Sequence, residues 1–278
     1  MRHERTTLTT QDGLALFAQT WLPDGKPEAI LIFAHGQAEH SNRYSHFGEA
    51  LANAGYALHM ADLRGHGQSP GKRGHVMRFA EYWTDFQAML DYAQKLAPDR
   101  PQFFGGHSLG GLIALSYALR RTPTGYKGVV VSAPWLRLVF NPPAWKTALG
   151  HILSGVIPGL TLGNELNPIW LSHDPDVVAA YAADPLVHGL ISTRAYTEIT
   201  ATAAHTLAHA GEWRLPILFL NGKDDPILGC RSAEEFIGGV ATEDCRLIIY
   251  EDMFHEVFNE IAHKQVFRDV IAWLETHT

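Results

Sequence analysis

The chain has 278 residues, 46% hydrophobic and 18% charged, with 22 basic against 29 acidic side chains and a net charge of −7. Such a composition supports a large core rather than a disordered chain, and the acidic balance argues against a nucleic-acid binder, which needs a basic patch. Two cysteines, Cys230 and Cys245, are too few for a disulfide framework or a four-sulfur zinc site, and read as reduced thiols.

The first 34 residues read as strands. LALFAQTW (14–21) alternates, and AILIFAH (29–35) is a continuous apolar run suited to a buried strand. SNRYSHFGEALANAG (41–55) predicts a helix, with Ser41 as candidate N-cap and Gly55 at the stop. YALHMAD (56–62) returns to strand. FAEYWTDFQAMLDYAQKLA (79–97) is an amphipathic helix with Phe79, Tyr82, Trp83, Phe86, Met89 and Leu90 on one side. PQFFGGH (101–107) is strand, LGGLIALSYALRR (109–121) helix, and YKGVVVSAP (126–134) strand again. Residues 136–211 hold helix-like pieces and prolines but no clear strand. The alternation resumes with RLPILFLNG (214–222), a helix near 231–239, CRLIIYED (245–252) and a last helix over 259–276. Alternation of this kind predicts a mostly parallel sheet with helices on both faces. The expected organisation is an α/β core over 1–135 and 212–278, with a helical cap inserted over 136–211. The opening MRHERTTLTTQDG lacks the apolar core of a signal peptide, and no run approaches the ~20 apolar residues of a membrane span, so a cytoplasmic protein is expected.

Two stretches fit Gly-x-Ser-x-Gly, the mark of a nucleophile elbow: GQSPG (67–71) and GHSLG (106–110). At such an elbow a strand turns sharply into a helix, and the residue after the serine donates its N–H to the oxyanion. Ser69 fails, because Pro70 has no N–H and RGHGQSPGKRG reads as a loop. Ser108 passes. A strand leads in, a helix leads out, and Leu109 follows at a helix N-terminus, where the dipole also favours negative charge.

A serine hydroxyl needs a general base, and the base needs an orienting carboxylate. In a sheet of this type they follow in the order serine, acid, histidine, each just past a strand. Asp224 and Asp225 compete for the acid in NGKDDPIL (221–228). His255, in MFHEVFNE (253–260), is the only histidine just past a strand after Ser108. HEVFN begins like the zinc motif His-Glu-x-x-His, but Asn259 replaces the second histidine. His205 and His209 lie four apart on a helix with no third ligand evident, and read as a solvated face. No metal or organic cofactor is called for. The loop after the third strand, HGQAEHSNRY (35–44), should supply the second oxyanion donor, the N–H of Gln37.

Together HGQAEHSNRY, DLRGHGQSPGKRGH (62–75), GGHSLGG (105–111), NGKDDPI and DMFHEV resemble the α/β-hydrolase fold, more narrowly its monoacylglycerol lipase and lysophospholipase-like branch. The resemblance covers both halves of the core, and DPLVHG (184–189) extends it weakly into the insertion. In that family the acid follows as Gly-x-x-Asp, which fits Gly222 to Asp225 and decides against Asp224. The resemblance also implies that the GHGQS loop is structural. The implied reaction is acyl transfer from a lipid ester to water. Ser108 would attack, His255 take its proton, Asp225 hold the imidazole, and the N–H groups of Gln37 and Leu109 bind the oxyanion. Family members use residues near Glu39 and Arg43 to hold the glycerol end; a salt bridge bracing the loop is the plain alternative. His107 joins them as a candidate substrate contact. Phe258 departs from the polar residue found there in mammalian members.

The insertion carries Trp135, Leu136, Leu138, Val139, Phe140, Trp145 and Leu149, and later Ile152, Leu153, Val156, Ile157 and Leu160. Part of this surface must pack the cap on the core; the rest could line an acyl channel or make transient contact with a lipid surface. Monoacylglycerols are the leading substrate class. Lysophospholipids, simple esters, peptidase or acyltransfer chemistry, and an inactive binding protein are the rivals, since one fold serves many chemistries. Oligomeric state is left open.

Overall fold

The computed structural model describes residues 1–121, 123–140 and 143–278, without the side chains of Ala144, Lys146 and Thr147. Among the described residues the strands are β1 (Arg2–Thr9), β2 (Ala15–Leu22), β3 (Ile30–Ala34), β4 (Ala57–Ala61), β5 (Gln102–His107), β6 (Tyr126–Ser132), β7 (Thr161–Gly163), β8 (Leu190–Ser192), β9 (Ile217–Gly222) and β10 (Cys245–Tyr250). Eight of them form one sheet in the order β1-β2-β4-β3-β5-β6-β9-β10. β2 runs antiparallel to both its neighbours, and the pairs from β4 to β10 are parallel.

The continuous apolar strands are buried on both faces, and their side chains divide by the two-residue period of a strand. On β3, Ile30, Ile32 and Ala34 enter one core and Leu31 and Phe33 the other; on β9, Ile217 and Phe219 part from Leu218 and Leu220 in the same way. One face is covered by α2 (Ala80–Leu96) and α3 (Leu109–Arg121), the opposite one by α1 (Ser45–Asn53) and α8 (His263–His277). Helix α2 buries Tyr82, Phe86, Met89 and Leu90, as its periodicity predicts, while the partly exposed Trp83 donates its indole N–H to Ser116.

The elements between β6 and β9 are α4 (Ala144–Val156), β7, α5 (Pro175–Ala183), β8 and α6 (Thr193–Ala208); α7 (Arg231–Gly239) follows β9. This is a helical insertion on a mostly parallel sheet, with one correction to the sequence reading: β7 and β8 pair antiparallel. Three residues per strand are too few to show a period. Two smaller corrections concern helix starts. Ser41 does not cap α1; its N–H and hydroxyl both donate to Asp62, in a 3-10 turn that precedes the helix. The last helix starts at His263, after a separate 3-10 turn over Val257–Asn259.

Candidate active site

The turn from β5 into α3 places Ser108 at φ 51°, a left-handed conformation that a residue with a side chain adopts at a cost of about 1–3 kcal/mol. Three backbone hydrogen bonds hold it there. Ser108 donates its N–H to Ser132 O at 2.9 Å, and its carbonyl accepts from Leu112 at 3.0 Å and Trp135 at 2.9 Å. Gly106 and Gly110 are needed for contact: a Cβ on Gly106 would strike the Gly110 backbone, and one on Gly110 the Ala34 carbonyl. Among the described residues, the N–H groups of Leu109 and Gln37 have no protein acceptor.

The turn after β9 carries Asp225, which is buried, while Asp224 is exposed. Asp225 Oδ1 accepts from the N–H groups of Ile227 at 2.8 Å and Leu228 at 3.1 Å, and Oδ2 lies 2.9 Å from His255 Nδ1. A carboxylate only accepts, so Nδ1 carries the proton and Nε2 is left as the basic nitrogen. Burial opposes ionisation of Asp225, yet the facing imidazole and the hydrogen bonds outweigh it and lower the carboxyl pKa. His255 shows the mirror image. Burial disfavours its charge, but Asp225, then Glu256 and Glu39, raise it above 6.5.

Ser108, His255, Gln37, Glu39 and His107 line one cavity of about 440 Å³, walled elsewhere by Leu138, Leu166, Leu171, Ile227 and Leu228. His107 touches Ser132 Oγ through Nδ1 at 2.9 Å, and its ring centroid lies 4.7 Å from that of His255. Burial first, then the neighbouring His255, lower its pKa to about 4, so it is neutral near pH 7.

Glu39 and Arg43 form the bracing ion pair. Glu39 Oε1 accepts from Gly36 N–H at 2.5 Å and Tyr44 Oη at 2.7 Å, and Oε2 accepts from Arg43 at 2.6 Å. Arg43 also grips Glu256 with two bonds, at 2.5 and 2.7 Å, and lies over the Tyr181 ring at 4.7 Å. The loop of the candidate oxyanion donor and the loop of the candidate base are thus joined through one guanidinium. Arg43 itself does not line the cavity; Glu39 and Glu256 do. Sequence reasoning missed Glu256, weighed only as part of an incomplete zinc motif. Its carboxylate takes Arg43 and accepts from the Asn259 side chain at 2.9 Å.

DPLVHG ties the insertion to the same loop: His40 Nε2 lies 2.9 Å from Asp184 Oδ2, and His188 N–H donates to Ala38 O at 3.0 Å. Gln37 donates its side-chain amide to Leu190 O at 3.2 Å. Phe258 lies away from the cavity, fully buried against Phe33, Tyr44, Phe47 and Phe267, so its apolar character serves the core and not substrate. Ser69 is also outside the cavity; its hydroxyl donates to Asp62 O at 2.6 Å and accepts from Phe17 N–H at 2.9 Å. His205 and His209 sit at the end of α6 with ring centroids 3.9 Å apart, and no group of three metal-binding side chains occurs among the described residues. No helix among them is long and apolar enough to cross a membrane.

A family model described as "Serine aminopeptidase, S33" matches residues 25–262. The monoacylglycerol lipase of Mycolicibacterium smegmatis is 33% identical, covering 95% of this chain and 94% of that protein. The chain belongs to the monoacylglycerol lipase/esterase-like family of the α/β-hydrolase superfamily. Other members differ in what their names say they cleave. The phospholipase YtpA of Bacillus subtilis is 28% identical, covering 93% of this chain and 99% of its own length. Among solved members, a Paleococcus ferrophilus monoacylglycerol lipase superposes with a TM-score of 0.85 at 32% identity, over 95% of this chain and 99% of that one.

Proposed function

We propose that this serine hydrolase cleaves carboxylic esters of lipids, monoacylglycerols first, through an acyl-enzyme on Ser108. One observation carries the reading: a serine held at a left-handed strand–helix turn and a histidine paired with Asp225 open on the same largely apolar cavity. Ser108 Oγ attacks the ester carbonyl while His255 Nε2 takes its proton. The negative oxygen receives the free N–H groups of Gln37 and Leu109, each worth on the order of 3 kcal/mol. His255 returns the proton to the leaving alcohol, then activates a water that releases the fatty acid. Ser108 makes no hydrogen bond to His255 among the described residues; such contacts tighten when substrate is bound.

The polar end of the cavity favours a neutral head group. Glu39 and Glu256 place two carboxylates against one guanidinium, and Glu39 stays ionised: burial opposes this, but Arg43 and then His107 hold its pKa at about 2. A glycerol hydroxyl can donate to such a site, whereas a phosphodiester meets like charge. The face of α4 bearing Trp145, Leu149, Ile152 and Val156 is exposed, from 46% to 73%, and would rest against the lipid aggregate that holds the substrate. The test is turnover of a monoacylglycerol and a lysophosphatidylcholine with the same acyl chain, by wild type and Ser108→Ala. Faster glyceride cleavage, lost in the variant, supports the proposal; preference for the phospholipid moves the chain to the lysophospholipases.

A further inference from the structure

The loop after β6 and one face of α6 separate two spaces. On one side lies the catalytic cavity; on the other lies a groove of about 360 Å³. Trp135, Leu138, Tyr196 and Thr200 wall both. Beyond them the groove is lined by Ala203, Ala204, Leu207 and Ala208 of α6, and at its rim Arg137 pairs with Glu235 at 2.7 Å. Positions 196, 200, 203, 204 and 207 share one helical face, so a single surface of α6 runs from the cavity into the groove. Along it the side chains shrink from Tyr196 through Thr200 to Ala203 and Ala204 before Leu207, and the small residues in the middle leave the groove.

The partition is two aromatic side chains with different anchors. Trp135 is rooted behind the nucleophile, its N–H donating to Ser108 O at 2.9 Å, and its indole packs against both the main core and a small cluster in the insertion. The Tyr196 hydroxyl makes no hydrogen bond among the described residues, so packing alone places that ring. We infer that Trp135 and Tyr196 set the acyl-chain limit of the enzyme, and that the groove behind them is the latent continuation of the acyl channel. This rests on the lipid-ester reading above. The occupant fits the chemistry. Along α6 the groove is lined by alanine, leucine and aromatic carbon, which suits an aliphatic tail; its polar lining is Thr200 and the Arg137–Glu235 pair at the rim, whose two charges satisfy each other. At about 440 Å³ the catalytic cavity sits in the lower part of the usual range for small-molecule sites, and joining the groove would nearly double it.

The experiment is a chain-length series of kcat/KM, run in parallel on monoacylglycerols and on p-nitrophenyl esters of the same acids. In wild type the value climbs with length and then levels off where the chain meets the partition. Trp135→Ala moves that plateau to longer chains, each methylene past the old limit adding about fourfold. Ala204→Trp placed on top of Trp135→Ala fills the groove and restores the wild-type plateau. Trp135→Leu and Tyr196→Ala, which keep more of the packing around Ser108, move it in the same direction if Trp135→Ala fails to fold. An unmoved plateau with all lengths slowed by one common factor overturns the inference and leaves Trp135 as support for the serine turn. A gain that survives Ala204→Trp overturns it as well. If the nitrophenyl esters turn over and the glycerides do not, the head-group reading falls while the chain-length comparison still decides the partition.

Discussion

Arg43→Met tests whether one buried guanidinium holds the oxyanion loop against the histidine loop. Methionine keeps an apolar stem and removes the charge. Glu39 and Glu256, 2% and 3% exposed, are then left with hydrogen bonds from Gly36, Tyr44 and Asn259 but no cation. Removing one partner from a buried ion pair costs about 3–5 kcal/mol. A second route agrees: the pKa of Glu39 falls from its ordinary 4.5 to about 2, which at 1.36 kcal/mol per pH unit is roughly 3 kcal/mol. At about 2–4 °C per kcal/mol, Tm at pH 7.5 drops by roughly 6–20 °C. The pH dependence fixes the sign. In wild type the contribution of Glu39 is complete above pH 4.5 and is lost as pH falls towards 2. In the variant the buried Glu39 has lost the cation that lowered its pKa, so stability returns as acid neutralises it. The gap between the two proteins therefore narrows from pH 7.5 to pH 4.5. Because Glu39 pins the N–H of Gly36 beside Gln37, kcat also falls, by up to about 10²-fold, the loss of one oxyanion donor. Thermal melts and turnover across this range are the assay. An unchanged Tm at pH 7.5, or a gap that stays constant with pH, refutes the reasoning.

Ser108→Gly abolishes turnover and fluorophosphonate labelling yet raises stability by about 1 kcal/mol in urea melts, since glycine accepts φ 51° freely; a destabilised variant would mean that the turn stores no strain. Asp225→Asn cannot hold the Nδ1–H tautomer of His255 and lowers kcat by about 10⁴-fold with little change in fold, to be read from single-substrate kinetics and circular dichroism. The acid limb of kcat/KM has its midpoint above 6.5, because the raised pKa of His255 keeps it protonated, and unable to accept the serine proton, to higher pH. Ser69→Ala labels normally with fluorophosphonate but loses about 1–3 kcal/mol, having left Phe17 N–H without its acceptor.

What could be read in the amino-acid sequence follows from how far each signal reaches along the chain. The strands β3, β6 and β9 are apolar runs with both faces buried, and α3 ends where its pattern ends, at Arg121. The rejection of Ser69 needed only its immediate surroundings, Pro70 and the glycine-rich loop, and the structure gives that hydroxyl two backbone partners. The preference for Asp225 over Asp224 came from a family spacing, and burial of one and exposure of the other agree with it. By contrast, Arg43 and Glu256 stand 213 residues apart, and nothing local to either announces the pair. Phe258 could not be placed for a related reason. Three residues past His255 it belongs to a 3-10 turn, where neither the helical nor the strand period tells which way a side chain points. β7 and β8 were hidden by their brevity.

The division between legible and illegible parts has a structural cause. Ser108, Asp225 and His255 each follow the carboxyl end of a strand, β5, β9 and β10, and parallel neighbours in one sheet bring those ends to one edge. A pattern search for strands is therefore already a search for this site. Substrate selection is built otherwise. Its walls come from loops and from an insertion whose helices meet the core at angles no period records, and its charge balance depends on a contact between two loops. Hence the reaction class can be argued from three short motifs, while the limits proposed above for chain length and head group rest on Trp135, Tyr196, Glu39 and Glu256, whose neighbours only the folded chain supplies.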